Sequence, residues 1–341
     1  MEVTLPILPT SVIGSYPKPR WLLRVYRLRE LGRIPEEDFL EAVKDASVAT
    51  LREHERAGVD IPWDGEMWRT EMTEHFTAKI KGFRFYGPVR VWGNAYFNKV
   101  AAVSKLEYSQ HLVLDEFKFI SQVTTRKIVK VPITGPYTIA EWSFNEYYPD
   151  KESFAMDLAK ILNKEFKFLE EAGAKFIQID EPAMLNHPDE VELAVDAINR
   201  SVKGIKIKVG LHVCYSNYHL LADYFDDLNV TQFALEFANR QFRDMDFLKK
   251  LSGKELGFGV VDVHNPRIET PEEVAKAIKK VFSYVEPEWL YINPDCGLKL
   301  LDRKIAYQKL VNMVKGVGIV RRELEREGKT EIPFRTLKDL R

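Results

Sequence analysis

Short apolar, β-branched runs alternate along the chain with longer stretches whose apolar residues recur at helical spacing. Eight of the short runs end in small or polar residues: Ser11–Pro17, Val59–Glu66, Ile128–Pro136, Phe176–Pro182, Ile205–Cys214, Gln232–Phe237, Gly257–His264 and Leu290–Gly297. Between them lie amphipathic stretches such as Glu36–Ala57, Lys151–Ala172, Pro188–Val202, Pro271–Val285 and Asp302–Glu325. Thr270 and Pro271, followed by Glu272 and Glu273, form a helix-start signal. This alternation predicts buried parallel strands joined by crossover helices. Eight such units predict an α/β fold of the (β/α)8 TIM-barrel type, not an open doubly wound sheet. The stretch 83–125, between the second and third strands, is too long for an ordinary connection. It predicts an inserted hairpin and helix over the barrel mouth. The charged tail Glu327–Arg341 is expected to pack loosely or to serve an interface. No shift in composition marks a boundary, so residues 1–341 are expected to form a single domain.

Composition narrows the function. The 341 residues are 45 % apolar and 30 % charged, enough for a full core and unlike a disordered chain. A net charge of -1 offers no global attraction to nucleic acid or to an anionic membrane, and neither partner is expected. The N-terminus lacks a basic start and is broken by Pro6 and Pro9, a poor signal peptide, and no run has the length of a spanning helix. Two cysteines, Cys214 and Cys296, exclude a disulfide scaffold and favour a cytoplasmic protein. No GxGxxG or Walker-type loop follows a strand, which disfavours nucleotide chemistry.

In a parallel barrel the active site forms at the C-terminal ends of the strands. Those ends are polar here: Ser15, Asp64, Glu66, Thr134, Asp180, Glu181, His212, Cys214, Glu236, Asp262, His264, Asp295 and Cys296. His212 and Cys214 are two apart on a strand and share a face. With Glu236 and Cys296 they make a plausible tetrahedral zinc set. Taken singly, each cysteine is equally at home as a small buried hydrophobe. Asp180 and Glu181 are adjacent, so one is expected to face the mouth and the other to turn aside, or the pair caps a helix. Asp64-Gly65 is a turn pair as well as a carboxylate site. Asp262 and His264, also two apart, suit an oriented imidazole. Aromatic residues crowd the stretch from Trp63 to Trp142; most suit packing, while Trp92 and Trp142 suit stacking on a flat cofactor.

These strand ends resemble the C-terminal catalytic barrel of the cobalamin-independent methionine synthase family. The matching motifs are Ile13-Gly14-Ser15-Tyr16-Pro17, Asp64-Gly65-Glu66, Thr134-Gly135-Pro136, Trp142-Ser143-Phe144, Ile179-Asp180-Glu181-Pro182, His212-x-Cys214, Glu236, Asp262-x-His264 and Pro294-Asp295-Cys296-Gly297, in family order. The resemblance implies one catalytic Zn2+ on His212, Cys214, Glu236 and Cys296. It implies homocysteine held by Ile13, Gly14, Ser15, Glu66 and Asp180, with His264 as proton donor and Trp142 against the methyl donor. The implied activity is methyl transfer to homocysteine from a folate-type pterin or a methylated corrinoid. The alternative is another thiol, such as coenzyme M, in the same barrel class. Longer members carry a related N-terminal barrel and an Arg-Cys pair after a Tyr-Gly; here Tyr86-Gly87 leads only to Arg90. The chain is therefore similar to short, core-only members. A corrinoid protein or a separate N-terminal-barrel protein is a possible partner.

Overall fold

The structure is a computed structural model that describes residues 4–92 and 95–340; the side chains of 91–97 lie outside the description, and with them those of Trp92, Tyr96 and Phe97. Eleven strands are described: β1 Thr4–Pro6, β2 Ile80–Trp92, β3 Ala95–Tyr108, β4 Lys130–Thr134, β5 Phe144–Asn145, β6 Phe176–Asp180, β7 Lys208–Val213, β8 Gln232–Leu235, β9 Glu255–Gly259, β10 Leu290–Asn293 and β11 Glu331–Pro333. Six of them form one large sheet in the order β10-β9-β8-β7-β6-β4. Every residue of these six strands is buried. Burial on both faces is expected of a parallel sheet, and here it takes in polar side chains such as Lys130, Gln178, Lys208, Gln232 and Glu255 among the apolar ones.

The first two predicted strands are reduced to isolated parallel bridges, Thr10 with Ile292 and Ser11 with Ile61. The reason is local. Pro9 and Pro62 have no N–H to extend a ladder. Their carbonyls still accept, from Ile292 N at 2.8 Å and Lys130 N at 3.2 Å. The predicted helices form at Glu36–Ala57, Lys151–Glu171, Val191–Ser201, Pro271–Val281 and Arg303–Arg326. Thr270 and Glu273 close a reciprocal capping box on Pro271–Val281.

Two compact units can be distinguished. The first comprises residues 4–68, 118–131 and 232–335. Within it, helices Pro271–Val281 and Arg303–Arg326 approach closely at Gly316, where an added Cβ would lie 2.6 Å from Val274 Cβ and 2.7 Å from the Pro271 carbonyl. The tail is not loose here. β11 pairs antiparallel with β1, Ile332 is buried, and the Arg335 guanidinium sits 3.8 Å from the Trp289 ring centroid.

The second unit comprises residues 69–117, 132–231 and 336–340. It contains the insertion, a long antiparallel hairpin of β2 and β3 whose edge is extended by β5. Two buried carboxylates fix its base. Glu165 accepts the Val113 and Leu114 amides at 2.7 and 2.9 Å and the Tyr108 hydroxyl at 2.6 Å. Glu116 faces His75 at 2.6 Å and Arg69 and Lys79 at 3.5 Å. Burial alone would raise the Glu116 carboxyl, but these three groups outweigh it and hold it well below the usual carboxylate range. Burial keeps His75 itself below its ordinary value, so Arg69 and Lys79 carry the charge at neutral pH.

Two outcomes follow. Gly316→Ala gains about 1 kcal/mol of helix propensity but meets backbone, and overpacking costs about 1–3 kcal/mol; a lower urea midpoint is expected. Glu116 has a folded pKa below its unfolded value, so its stabilisation is complete above the ordinary carboxylate range and fades as pH falls through and below it. Glu116→Gln should cost about 3 kcal/mol at neutral pH and flatten that acid limb in urea melts taken across pH.

Candidate metal centre

β7 and the residue after it deliver the first two candidate ligands, His212 and Cys214. Its residue His212 pairs in register with Asp180 of β6, and the Glu181 N–H donates to the His212 carbonyl at 2.9 Å. The chain then turns sharply. Tyr215 takes a left-handed φ of 55°, the Ser216 hydroxyl donates to the Cys214 carbonyl at 3.0 Å, and the Tyr218 hydroxyl donates to the Val213 carbonyl at 2.9 Å. His212 is buried and Cys214 half-buried. Cys296 follows β10, and its predecessor Asp295 is fully buried. The ligand atoms of His212, Cys214 and Cys296 lie within 4.8 Å of one another. Two thiols and one imidazole form a soft, nitrogen–sulfur donor set that fits a tetrahedral metal such as zinc.

Glu236 is not part of this group of three. It is fully buried, and its Oε1 accepts from Arg240 Nε at 2.8 Å. Arg240, four residues on, was not singled out from the sequence; its i, i+4 spacing was the only signal. Asp295 also acquires a definite job. Its Oδ1 accepts the Phe237 and Ala238 amides at 2.9 and 3.0 Å, and its Oδ2 accepts Asn239 N at 2.7 Å. The carboxylate thus holds the loop that follows Glu236. Burial, reinforced by Glu236, pushes it up to about 7 against those three donors.

The adjacent acids Asp180 and Glu181 do divide. Asp180 accepts from Gln178 Nε2 at 2.7 Å. Glu181 turns away and caps the helix Pro136–Glu141, accepting Tyr137 N at 3.0 Å and Thr138 N at 2.7 Å. Burial pushes Glu181 up to about 7 despite these amides. Gly135 makes room for it, since a Cβ there would lie 2.1 Å from Glu181 Oε1.

Ile13, Gly14 and Ser15 form an irregular segment bound to two others. Tyr16 N donates to the Gly65 carbonyl at 3.0 Å, and Leu298 N donates to the Ser15 carbonyl at 2.7 Å. Gly65 and Glu66 both have left-handed φ, 75° and 61°. Asp64 supports this turn by accepting the Glu66 amide at 2.9 Å and the Ser47 hydroxyl at 2.7 Å. A non-glycine residue held left-handed is the kind of strain that gathers at functional sites.

The Asp262–His264 expectation needs correcting. β9 ends at Gly259, so the two residues lie on a loop, not on one strand face. Asp262 accepts the backbone amide of His264 at 2.9 Å, an Asx turn, and its own amide donates to Glu269. His264 is exposed. Trp142 follows the helix Pro136–Glu141 and is 41 % exposed, so its ring is open to a ligand. Arg90 is exposed on the hairpin strand β2.

A large parallel α/β sheet with two thiols and an imidazole drawn together just beyond its strands defines an α/β protein with a candidate metal-binding site. Residues 8–318 match the family described as "Cobalamin-independent synthase, Catalytic domain", and the chain belongs to that family. It is 84 % identical to the methionine synthase of Pyrococcus abyssi, over 98 % of this chain and 99 % of that protein. It is 82 % identical to that of Pyrococcus horikoshii over the same shares. The solved structure of a B12-independent methionine synthase from Shewanella sp. W3-18-1, in complex with selenomethionine, superposes with a TM-score of 0.85 at 28 % identity, covering 94 % of this chain and 99 % of that one. The activity is that of a methionine synthase, a methyl transfer to a thiol.

One test isolates the local geometry. Gly135→Ala must push Glu181 off its amides and should cost at least about 2 kcal/mol. Gly173→Ala, with open space but φ of 93°, should cost only about 1 kcal/mol. Urea midpoints of the two variants give the comparison.

Proposed function

We propose that the chain makes methionine by moving a methyl group from a donor to homocysteine, with one Zn2+ held by His212, Cys214 and Cys296 and by Glu236 as the fourth ligand. The observation that carries this reading is the convergence of the two thiols and the imidazole. Bound there, zinc would keep a substrate thiol deprotonated at neutral pH, where a free thiol is mostly protonated. The protein's own residues do the rest. The backbone around Gly14 and Ser15 offers N–H groups to the substrate carboxylate. Glu66 and Asp180 hold the substrate ammonium; Glu66 is presented by its left-handed turn and Asp180 by Gln178. The methyl group leaves the donor without its bonding electrons and bonds to sulfur. Where the donor atom is nitrogen, His264 returns a proton to it. Exposure of His264 on a loop suits a group that meets the donor from the solvent side. Trp142 and Arg90 are assigned to the donor.

The large sheet is read as a closed (β/α)8 barrel forming one domain. The bridges at Thr10, Ser11 and Ile61 and the Lys130-to-Pro62 hydrogen bond support that reading, because they supply two further segments beside β10 and β4. Cytoplasmic location is part of the proposal, as is a corrinoid protein or separate N-terminal-barrel protein as a partner. Among the described residues no helix is long and apolar enough to cross a membrane.

The test is methionine formation by zinc-loaded protein, with methyltetrahydrofolate, its polyglutamate and methylcobalamin run side by side. Cys296→Ser should lose its metal by elemental analysis and lose activity by at least ~100-fold; full activity without metal would overturn the zinc assignment. Glu66→Gln or Asp180→Asn should raise the homocysteine KM by about tenfold or more. If neither does, and coenzyme M is methylated instead, the substrate is a thiol without the ammonium group.

A further inference from the structure

A cavity of about 560 Å³ lies in the first unit, walled by Arg20, Arg56, Arg303 and Lys304 with Glu53, Asp302 and Tyr307. Four cations face two carboxylates there. Both carboxylates are already committed. Glu53 Oε1 pairs with Arg303 Nε at 3.1 Å, and Asp302 accepts the Lys304 amide at 2.9 Å as the cap of helix Arg303–Arg326. Among the described residues Arg20, Arg56 and Lys304 have no carboxylate within ion-pair distance.

Two helices begin at this cavity, Arg20–Glu30 and Arg303–Arg326. Neither has an acidic residue in its first turn, and the first has no side-chain cap. Cations at the positive end of a helix oppose its dipole. The end of Arg20–Glu30 carries Arg20 with no carboxylate of its own, and the end of Arg303–Arg326 carries Arg303 and Lys304 against the single carboxylate of its Asp302 cap, an arrangement that favours a further anion. Behind three of the walls lies a further polar group. Tyr16 is buried, and its hydroxyl has no hydrogen-bond partner of good geometry. Arg303 sits 5.0 Å over its ring, and Glu53 and Tyr307 are its charged and phenolic neighbours.

We infer that this cavity binds a small polyanion carrying two or more phosphate or carboxylate groups. The volume exceeds the need of a single phosphate, and a surplus of two positive charges, four cations against two carboxylates, exceeds the charge of a single carboxylate. Such an anion has a direct route to the substrate loop. Arg303 donates to the Pro17 carbonyl and, at 3.0 Å, to Thr50 Oγ1, and Pro17 ends the Ile13–Pro17 segment. An occupant that holds Arg303 therefore steadies the loop that carries Ser15.

Isothermal titration calorimetry on the full chain, at fixed chloride, tests this with pyrophosphate and with triglutamate as separate probes. Saturable binding of one molecule per chain is expected, weakened at least ~tenfold in the Arg56→Gln/Lys304→Gln double variant. Both residues are exposed, so circular dichroism of the variant should match the parent. Tighter binding of pyrophosphate identifies a phosphate ligand, and tighter binding of triglutamate a carboxylate chain. Binding of neither probe, or equal binding to the double variant, overturns the inference. The measurement needs no metal and no methyl donor, so it stands apart from the methyl-transfer assay.

Discussion

Two carboxylates are taken out of water and given backbone amides in place of cations, and the loop after Glu236 and the start of helix Pro136–Glu141 depend on them. Asp295 holds Phe237, Ala238 and Asn239; Glu181 holds Tyr137 and Thr138. Burying a carboxylate costs several kcal/mol unless its lone pairs are satisfied. Burial pushes both up to about 7, so the amides offset it only in part. The return on that cost is position. Asp295 lies between the strand β10 and Cys296 while gripping the loop after Glu236. Glu181 grips one helix start and, through its own N–H, the end of β7 at His212.

Glycine makes these close approaches possible in both units. Gly259 and Gly297 leave room where a Cβ would lie 2.4 Å from Asp295 Oδ1 and 2.2 Å from Ser15 Oγ. The result around Cys296 is a set of turns locked from three directions, with the thiol left half-buried. Cys296 is thus placed by the protein's own contacts, as the proposed metal centre requires.

The insertion is anchored differently. Glu116 is balanced by cations and Glu165 by amides and a phenol, both at the base of the hairpin. Beyond that base the hairpin exposes Phe85, Tyr86 and Val89.

Much of the architecture was legible because it is local. Strand–helix alternation, the β-branched strand runs and the Thr270–Glu273 cap depend on residues near one another in sequence, and their periods report it directly. The residue types at the strand ends were equally legible, as were the thiol and imidazole spacing. What only the tertiary structure decided is which partner each polar group takes. Asp295 finds amides 56 to 58 residues away, and Glu181 finds them 43 and 44 away. Glu236 pairs with Arg240, Asp262 turns to a backbone amide, the tail finds β1, and proline confines the first two strands to single bridges. No local period encodes such choices. They follow from which donor remains unsatisfied once the chain has been brought together, and that is settled by desolvation and not by propensity.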